Sequence, residues 1–460
     1  MSTDLLEPLT CEARPASSCP LPRLLVVTYY SPAARHGGAV CVRNILDGYP
    51  PERLAWMHHE RPVVDPASPA LGIAQWPVGL LRRPNRFGLW RLKEYGDWTI
   101  HSPRMAREAA CLARAAGIEA VLGIGPGISV WTSYLIARAL GVPLHLWIHD
   151  DPAAYARFRG GSGMLVSRVR QCFRLAYRGA AVRYTISEPM REYYRKLTGC
   201  DAIVLPPSLG PGVGNSPAEQ GWAGVSPAVS CVPAVSAGAS AQAVPSHRLR
   251  SRRIRIGIAG SIAGAEVWQS FALALELVCR DAPADRQPEI VAFCEPHGIP
   301  VPPSVQRRGW VSMRGWQSAE VVDRELAGMD YLYMPLWFSE DRRLHVATSF
   351  STKFVSYLRA GVPILCHVPG YSAVAAFVRR CPVGPVLDTT DVPTLADRLR
   401  AVFESQDWHS RYTAARGRAL AEFDHAALVR RFHENLLAGL GGARPPAAIP
   451  NARHGRPRRP

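Results

Sequence analysis

Residues 348–374, TSFSTKFVSYLRAGVPILCHVPGYSAV, put Ser351, Thr352 and Lys353 at the opening of a helical pattern that runs through Gly361 and Pro363 into an apolar strand at 364–368. Either Ser351 or Thr352 can act as N-cap. The unpaired N–H groups of such a helix start, together with the positive end of its macrodipole, favour an anion such as a phosphate. Lys353 in the first turn opposes that dipole, a placement that is easier to explain with a diphosphate beside it. The plain alternative is a solvated lysine behind an ordinary cap.

Other residues also have types and positions suited to chemistry. Gly37 and Gly38 follow the first apolar run and precede a helix, where a doubly wound sheet takes its ligands. They offer backbone N–H groups to a sugar or diphosphate, or else a tight turn that needs positive φ. Gly260 and Ser261 occupy the matching place in the second half and allow close backbone approach to a phosphate. His149, Asp150 and Asp151 end an apolar strand, with Asp151 placed to turn the chain before Pro152. His145 and His149 on that strand stand about 13 Å apart, too far for one ion, so a metal site is rejected. Ser187 reads as the cap of a helix with Pro189 in its first turn.

The elements that hold these residues alternate strand and helix. Buried-type apolar strands at 24–29, 120–125, 143–149 and 182–186 are each followed by a helical pattern, which implies a parallel sheet covered on both faces. Residues 210–247 are almost all Gly, Ala, Pro, Ser and Val, and read as a flexible linker or surface insertion. A second series begins near Arg252, with strands at 253–259, 289–294 and 329–335. Long helical patterns at 391–406 and 408–440 close the chain. The expected organisation is a disordered 1–20, a Rossmann-like domain at 21–207, a linker at 208–252, a second Rossmann-like domain at 253–405, helices at 406–440 returning toward the first domain, and a basic disordered tail at 441–460.

The chain has 460 residues, 47% of them apolar and 20% charged, the balance of a globular protein with more than one core. Its formal charge of +17 draws anionic partners without choosing among phosphates, acidic lipid and nucleic acid. No aromatic-basic motif supports nucleic acid, and none is expected as a partner. Eleven cysteines without a C-x-x-C pair read as reduced thiols. The first twenty residues lack the pattern of a secretory leader, so the expected compartment is the cytosol. The uncharged run 120–137 is long enough to span a membrane, but Gly123, Gly125, Pro126 and Gly127 break it into a strand and a helix start.

In their order along the chain, LLVVTYYSPAARHGGA, WIHDD, YTISEPM, IGIAGSI and SFSTKFVSYLRAGVPIL resemble the GT-B fold glycosyltransferases, particularly the retaining family-four type, over roughly residues 23–435. The resemblance implies an α/β protein in which two Rossmann-like αβα domains face a cleft, the first taking the acceptor and the second a nucleotide-sugar that serves as co-substrate, with no separate cofactor. It makes Lys353 a ligand of the donor phosphates, with Ser351 and Thr352 beside it, and puts the His149–Asp150 pair near acceptor and sugar. Two departures accompany it. The glutamate pair of that family falls at Thr348 and Ser356, neither of them acidic, so that Ser356 makes at most a single contact to the ribose. The Arg and Lys that relatives place in the second Gly loop are missing, leaving Arg307, Arg308 or Arg314, or else Arg342 and Arg343, to neutralise the leaving diphosphate.

The acceptor expected by this resemblance is a glycan or lipid-linked molecule of cell-surface polysaccharide or glycolipid synthesis. A helical face carrying Arg170, Arg174 and Arg178 suits an anionic membrane surface at the inner face, or is simply solvated. The competing readings are a non-catalytic scaffold that kept the fold, and a nicotinamide-dependent oxidoreductase resting only on G-x-G-x-G at 123–127.

Overall fold

The computed structural model describes residues 21–34, 37–59, 74–77, 89–211, 253–260, 262–294, 300–405 and 407–441. The expectations for Ser261, for 212–252 within the linker and for both tails lie outside the described residues. Seven strands, β1 (Leu24–Thr28), β2 (Leu54–His58), β3 (Ala74–Pro77), β4 (Ala120–Gly125), β5 (Leu144–Ile148), β6 (Val182–Thr185) and β7 (Ile203–Val204), form one parallel sheet ordered β3-β2-β1-β4-β5-β6-β7. A second parallel sheet, ordered β10-β9-β8-β11-β12, contains β8 (Arg255–Ala259), β9 (Glu289–Phe293), β10 (Val311–Met313), β11 (Tyr331–Pro335) and β12 (Ile364–His367).

In each sheet the first strand by sequence lies between its successor and a later strand. Leu24 of β1 pairs with Leu54 on one side and Ala120 on the other, and β8 lies between β9 and β11. The order therefore reverses at β1 and at β8. That reversal opens a crevice at the carboxyl end of each strand, where Gly37 and Gly260 follow. Every residue of β1, β4, β5 and β11 is buried, which accounts for their unbroken apolar sequences.

Four strands go beyond the sequence reading. β2 follows a 3-10 turn at Pro51–Arg53 instead of a Gly-rich signal, and β3, β7 and β10 span only 4, 2 and 3 residues. The closing stretch is also not one helix. It breaks into Trp408–Glu422 and His425–Gly441, where the Asp424 carboxylate accepts the Ala427 N–H at 2.7 Å and starts the second helix.

That last helix buries Leu428, Phe432 and Leu436 in the core of the first sheet, each side chain worth about 1.5–3 kcal/mol. Gly439 lets it approach closely, because a Cβ there would stand 2.6 Å from the His145 ring. His145 is thus core beneath this helix, and burial pulls its pKa down to about 4. The helix enters beside the segment that leaves β7. Leu209 N–H donates to Phe423 O at 3.0 Å, and His425 joins Ser208 Oγ at 3.2 Å to Asp47 Oδ2 at 2.9 Å. Among the described residues no helix is long and apolar enough to cross a membrane; the run 120–137 is β4 followed by the helix Ser129–Leu140.

Candidate active site

A cavity of about 900 Å³ lies between the two sheets and is lined by residues of both. Its second-domain wall includes Ser349, Phe350, Ser351, Thr352 and Lys353. The helix Thr352–Ala360 starts here with Ser351 at its N-cap; the Ser351 side chain makes no capping bond, and its carbonyl accepts the Phe354 N–H at 3.1 Å. Lys353 is half-buried at the start of the helix, and its burial brings the ammonium down to about 8.

The helix Gly37–Ile45 begins on the same cavity from the first domain. Gly37 and Gly38 have ordinary helical backbone, and what they supply is closeness. A Cβ on Gly37 would stand 2.5 Å from Thr352 Oγ1, and one on Gly38 would stand 3.2 Å from the Tyr30 ring. The approach to this helix is held by Arg43, which donates to Pro32 O at 2.6 Å and Ala34 O at 2.7 Å, and by Tyr30 Oη, which donates to Gly38 O at 2.9 Å. Two helix starts from different domains therefore converge on one space. Their dipoles add there in favour of an anion.

His149 and Asp150, at the carboxyl end of β5, also line the cavity. His149 packs edge-on to Trp147 with centroids 4.3 Å apart. Burial outweighs the Asp150 charge and takes its pKa down to about 4, so the imidazole is neutral near pH 7, and its Nε2 is buried without a hydrogen-bond partner among the described residues. Asp150 reaches across the cleft. Its Oδ1 accepts Ser349 Oγ at 2.6 Å and lies 3.1 Å from His345 Nδ1. Burial alone would raise the Asp150 pKa, but the hydrogen bonds and charge of these partners more than offset it and hold the carboxyl below its ordinary value. The domains are fastened further by Ser187, which caps the helix Glu188–Thr198 through Met190 N–H and donates its own hydroxyl to Thr348 O. Arg342 extends the contact by lying between the rings of Phe158 and Trp337.

Several expected residues are placed elsewhere. Gly260 has φ of 73°, which favours glycine, but its N–H donates to Phe293 O at 2.9 Å and is not available to a phosphate. Ser356 is exposed and turns its hydroxyl back to Thr352 O at 3.2 Å, away from the cavity. Thr348 is buried and bonded to Leu344 O at 2.7 Å. Arg307 and Arg314 are exposed, Arg308 is held by Glu276 at 3.2 Å over the Trp310 ring, and none of the three lines the cavity, because they flank β10 at the far edge of the second sheet. Arg343 lies over Tyr371.

The sequence reading missed His345 and Ser349, and all of the wall made by Lys93, Glu94, Asp97 and Trp98. Lys93 and Asp97 pair at 2.7 Å, next to a π-helical turn at Asp97–His101 of the kind often found at functional sites. Their i,i+4 spacing was the one local signal, and it marks many solvated helix pairs equally well.

No family model matches the sequence, and no curated protein does. Solved structures do. HepE of Anabaena, in complex with UDP and glucose, aligns over 90% of this chain and 99% of its own, with 13% identity and a TM-score of 0.58. The chain has the GT-B fold. Sucrose-phosphate synthase of Thermosynechococcus elongatus aligns over 89% of this chain and 97% of its own at 11% identity and TM-score 0.58. The trehalose 6-phosphate synthase of Burkholderia multivorans aligns over 91% and 97% at 14% identity and TM-score 0.53. At these identities the likeness concerns architecture: two Rossmann-like domains facing a cleft.

Proposed function

We propose that the protein is a glycosyltransferase that moves a sugar from a nucleoside diphosphate to an acceptor hydroxyl. The observation that carries this reading is the convergence of the Gly37 and Thr352 helix starts on one cavity beside Lys353. A diphosphate seated there meets two sets of backbone N–H groups, two aligned dipoles and an ammonium, the arrangement that stabilises charge developing on a leaving group. In this reading no metal ion is required, since the amides and Lys353 neutralise the departing diphosphate. HepE is described in complex with UDP-glucose, which makes UDP-sugars the first donors to test.

The sugar of the donor extends from the diphosphate toward His149 and Asp150. The neutral His149 offers its unpartnered Nε2 to a sugar hydroxyl, and Asp150 keeps a negative charge near the anomeric carbon while tying the walls together through His345 and Ser349. Transfer then proceeds by front-face substitution with retention. The acceptor oxygen bonds to the anomeric carbon as the bond to the diphosphate oxygen breaks, and the acceptor proton passes to that departing oxygen.

The helix Gly163–Gly179 supports a peripheral membrane location at the cytoplasmic face, and with it a role in glycolipid or cell-surface polysaccharide synthesis. It exposes Arg170, Arg174 and Arg178 together with Met164 at 58% and Leu175 at 39% exposure, a mixture suited to anionic lipid headgroups. Sedimentation with vesicles containing phosphatidylglycerol tests this location. It is refuted if the protein binds no better to them than to neutral vesicles.

Calorimetry with a panel of nucleotide-sugars tests the transferase reading itself. Binding and slow hydrolysis of at least one donor are expected. Affinity for none of them would overturn the reading and leave a scaffold that has kept only the fold.

A further inference from the structure

We propose that the first-domain wall of the cavity is a subsite for a neutral, polyhydroxylated acceptor, a sugar ring or glycoside, whose hydroxyls are read by Asp97 and Lys93. This inference rests on the transferase reading and concerns only which acceptor that site takes. Among the residues of that wall are Lys93, Glu94, Asp97, Trp98, Tyr155 and Arg159.

Its cations are Lys93 and Arg159, and its carboxylates are Glu94, Asp97 and, at the end of β5, Asp150. A phosphorylated or carboxylated acceptor would meet more carboxylates than cations there, and nothing on this wall selects an anion. A sugar hydroxyl donates one hydrogen bond and accepts others, so alternating ammonium, guanidinium and carboxylate groups match it on both counts. Trp98 and Tyr155 supply ring surface among these charges, which suits the C–H face of a pyranose.

Asp97 itself points to a ligand. It is 5% exposed, and its Oδ2 accepts a hydrogen bond from Lys93 Nζ at 2.7 Å, but its Oδ1 is buried with no hydrogen-bond partner among the described residues. A buried carboxylate oxygen left without a donor is costly, and a hydroxyl seated on the pair removes that cost. Lys93 spends one of its three N–H donors on Asp97, which leaves others for the same ligand. The π-helical turn that begins at Asp97 departs from regular helix, and it is fixed by Ser102 Oγ donating to Asp97 O at 2.8 Å. The π-helical turn and the orphaned oxygen occur at the same residue. His149 Nε2, a second buried and unpartnered polar atom, belongs to the same cavity.

The test is saturation-transfer NMR on the full chain saturated with UDP. The probes are methyl glucoside, methyl mannoside and methyl galactoside at millimolar concentration, with glucose 6-phosphate and inorganic phosphate as charged competitors. At least one neutral glycoside is expected to bind. Asp97→Asn and Lys93→Gln are expected to weaken it about tenfold while UDP affinity stays within about twofold of the parent. Glu94→Gln, which leaves the Lys93–Asp97 pair intact, serves should Asp97→Asn fail to fold, and the same direction of change is expected. The proposal is overturned if no neutral glycoside binds, if glucose 6-phosphate or phosphate binds this wall better than the glycosides, or if the variants bind as the parent does. Should the glycoside bind in the absence of any UDP affinity, the subsite stands and the transferase reading falls.

Discussion

The second-domain wall of the cleft presents backbone: the opening turn of the helix Thr352–Ala360, the N-cap Ser351 without a side-chain bond, and one lysine. The first-domain wall beyond Gly37 presents side chains: the Lys93–Asp97 pair, Glu94, Arg159 and two aromatic rings. Amides at a helix start are fixed by the helix itself and attract any anion of suitable size, which fits a group common to many donors, the diphosphate. Paired side chains have to be positioned one by one and read hydroxyl patterns, which fits the partner that distinguishes one transferase from another. In the proposed reading, secondary structure holds the common part of the substrate and side chains hold the particular part.

The sharpest way to break this comparison is to remove the one charge from the backbone wall. Lys353→Ala should weaken binding of UDP or a UDP-sugar by about 100-fold, on the order of 2–3 kcal/mol for a charged hydrogen bond, as read by calorimetry. Unchanged affinity would show that the amides suffice.

The same lysine sets a pH dependence. Its proton is lost as pH rises through about 8, so UDP affinity should fall by about tenfold between pH 7 and 9 and stay flat in Lys353→Ala. Bound diphosphate favours the charged form, so the fall moves to higher pH as the ligand saturates the site.

A smaller effect tests whether the two helix starts really share a ligand. Gly37→Ala pushes a methyl to 2.5 Å from Thr352 Oγ1 and should part the walls, lowering UDP affinity about fivefold, a cost of about 1 kcal/mol. Adding Thr352→Ala should recover part of the loss, because Oγ1 is the nearest atom. Two independent losses that simply add would show that the walls act separately.

The smallest change is expected at Ser356. Its hydroxyl is turned to the helix backbone, so Ser356→Ala should alter UDP affinity and stability by less than about 0.5 kcal/mol. A large loss would mean that the nucleotide reaches farther along the helix than the cavity does.

Much of the backbone wall was legible from the sequence because its signals are local. Ser351–Lys353 precede an amphipathic helix that ends in Gly361 at φ of 78°, and a strand follows at once. The glycines of the first loop and the His149–Asp150 strand end are marked in the same way. The side-chain wall and the cross-cleft ties are products of topology. Ser349 meets Asp150 across 199 residues, and nothing near either residue announces the meeting. The arginines at 307, 308 and 314 show the converse. Their charge is plain in the sequence, but their place at an edge strand depends on the order β10-β9-β8, which no local pattern carries.

The chain passes between the domains twice, after β7 and again at Phe423–His425, and the two passages are bonded side by side through Leu209 and Phe423 and through Ser208 and His425. Two neighbouring passages define one axle, so any swing of one domain on the other turns about this place. Phe423 packs tilted against Phe350 with centroids 5.4 Å apart, and Phe350 follows Ser349, the residue that grips Asp150 across the cleft. The axle and the grip are thus two residues of ring contact apart. The angle between the domains and the meeting of their walls are therefore linked through Phe423, a residue that does not itself line the cavity.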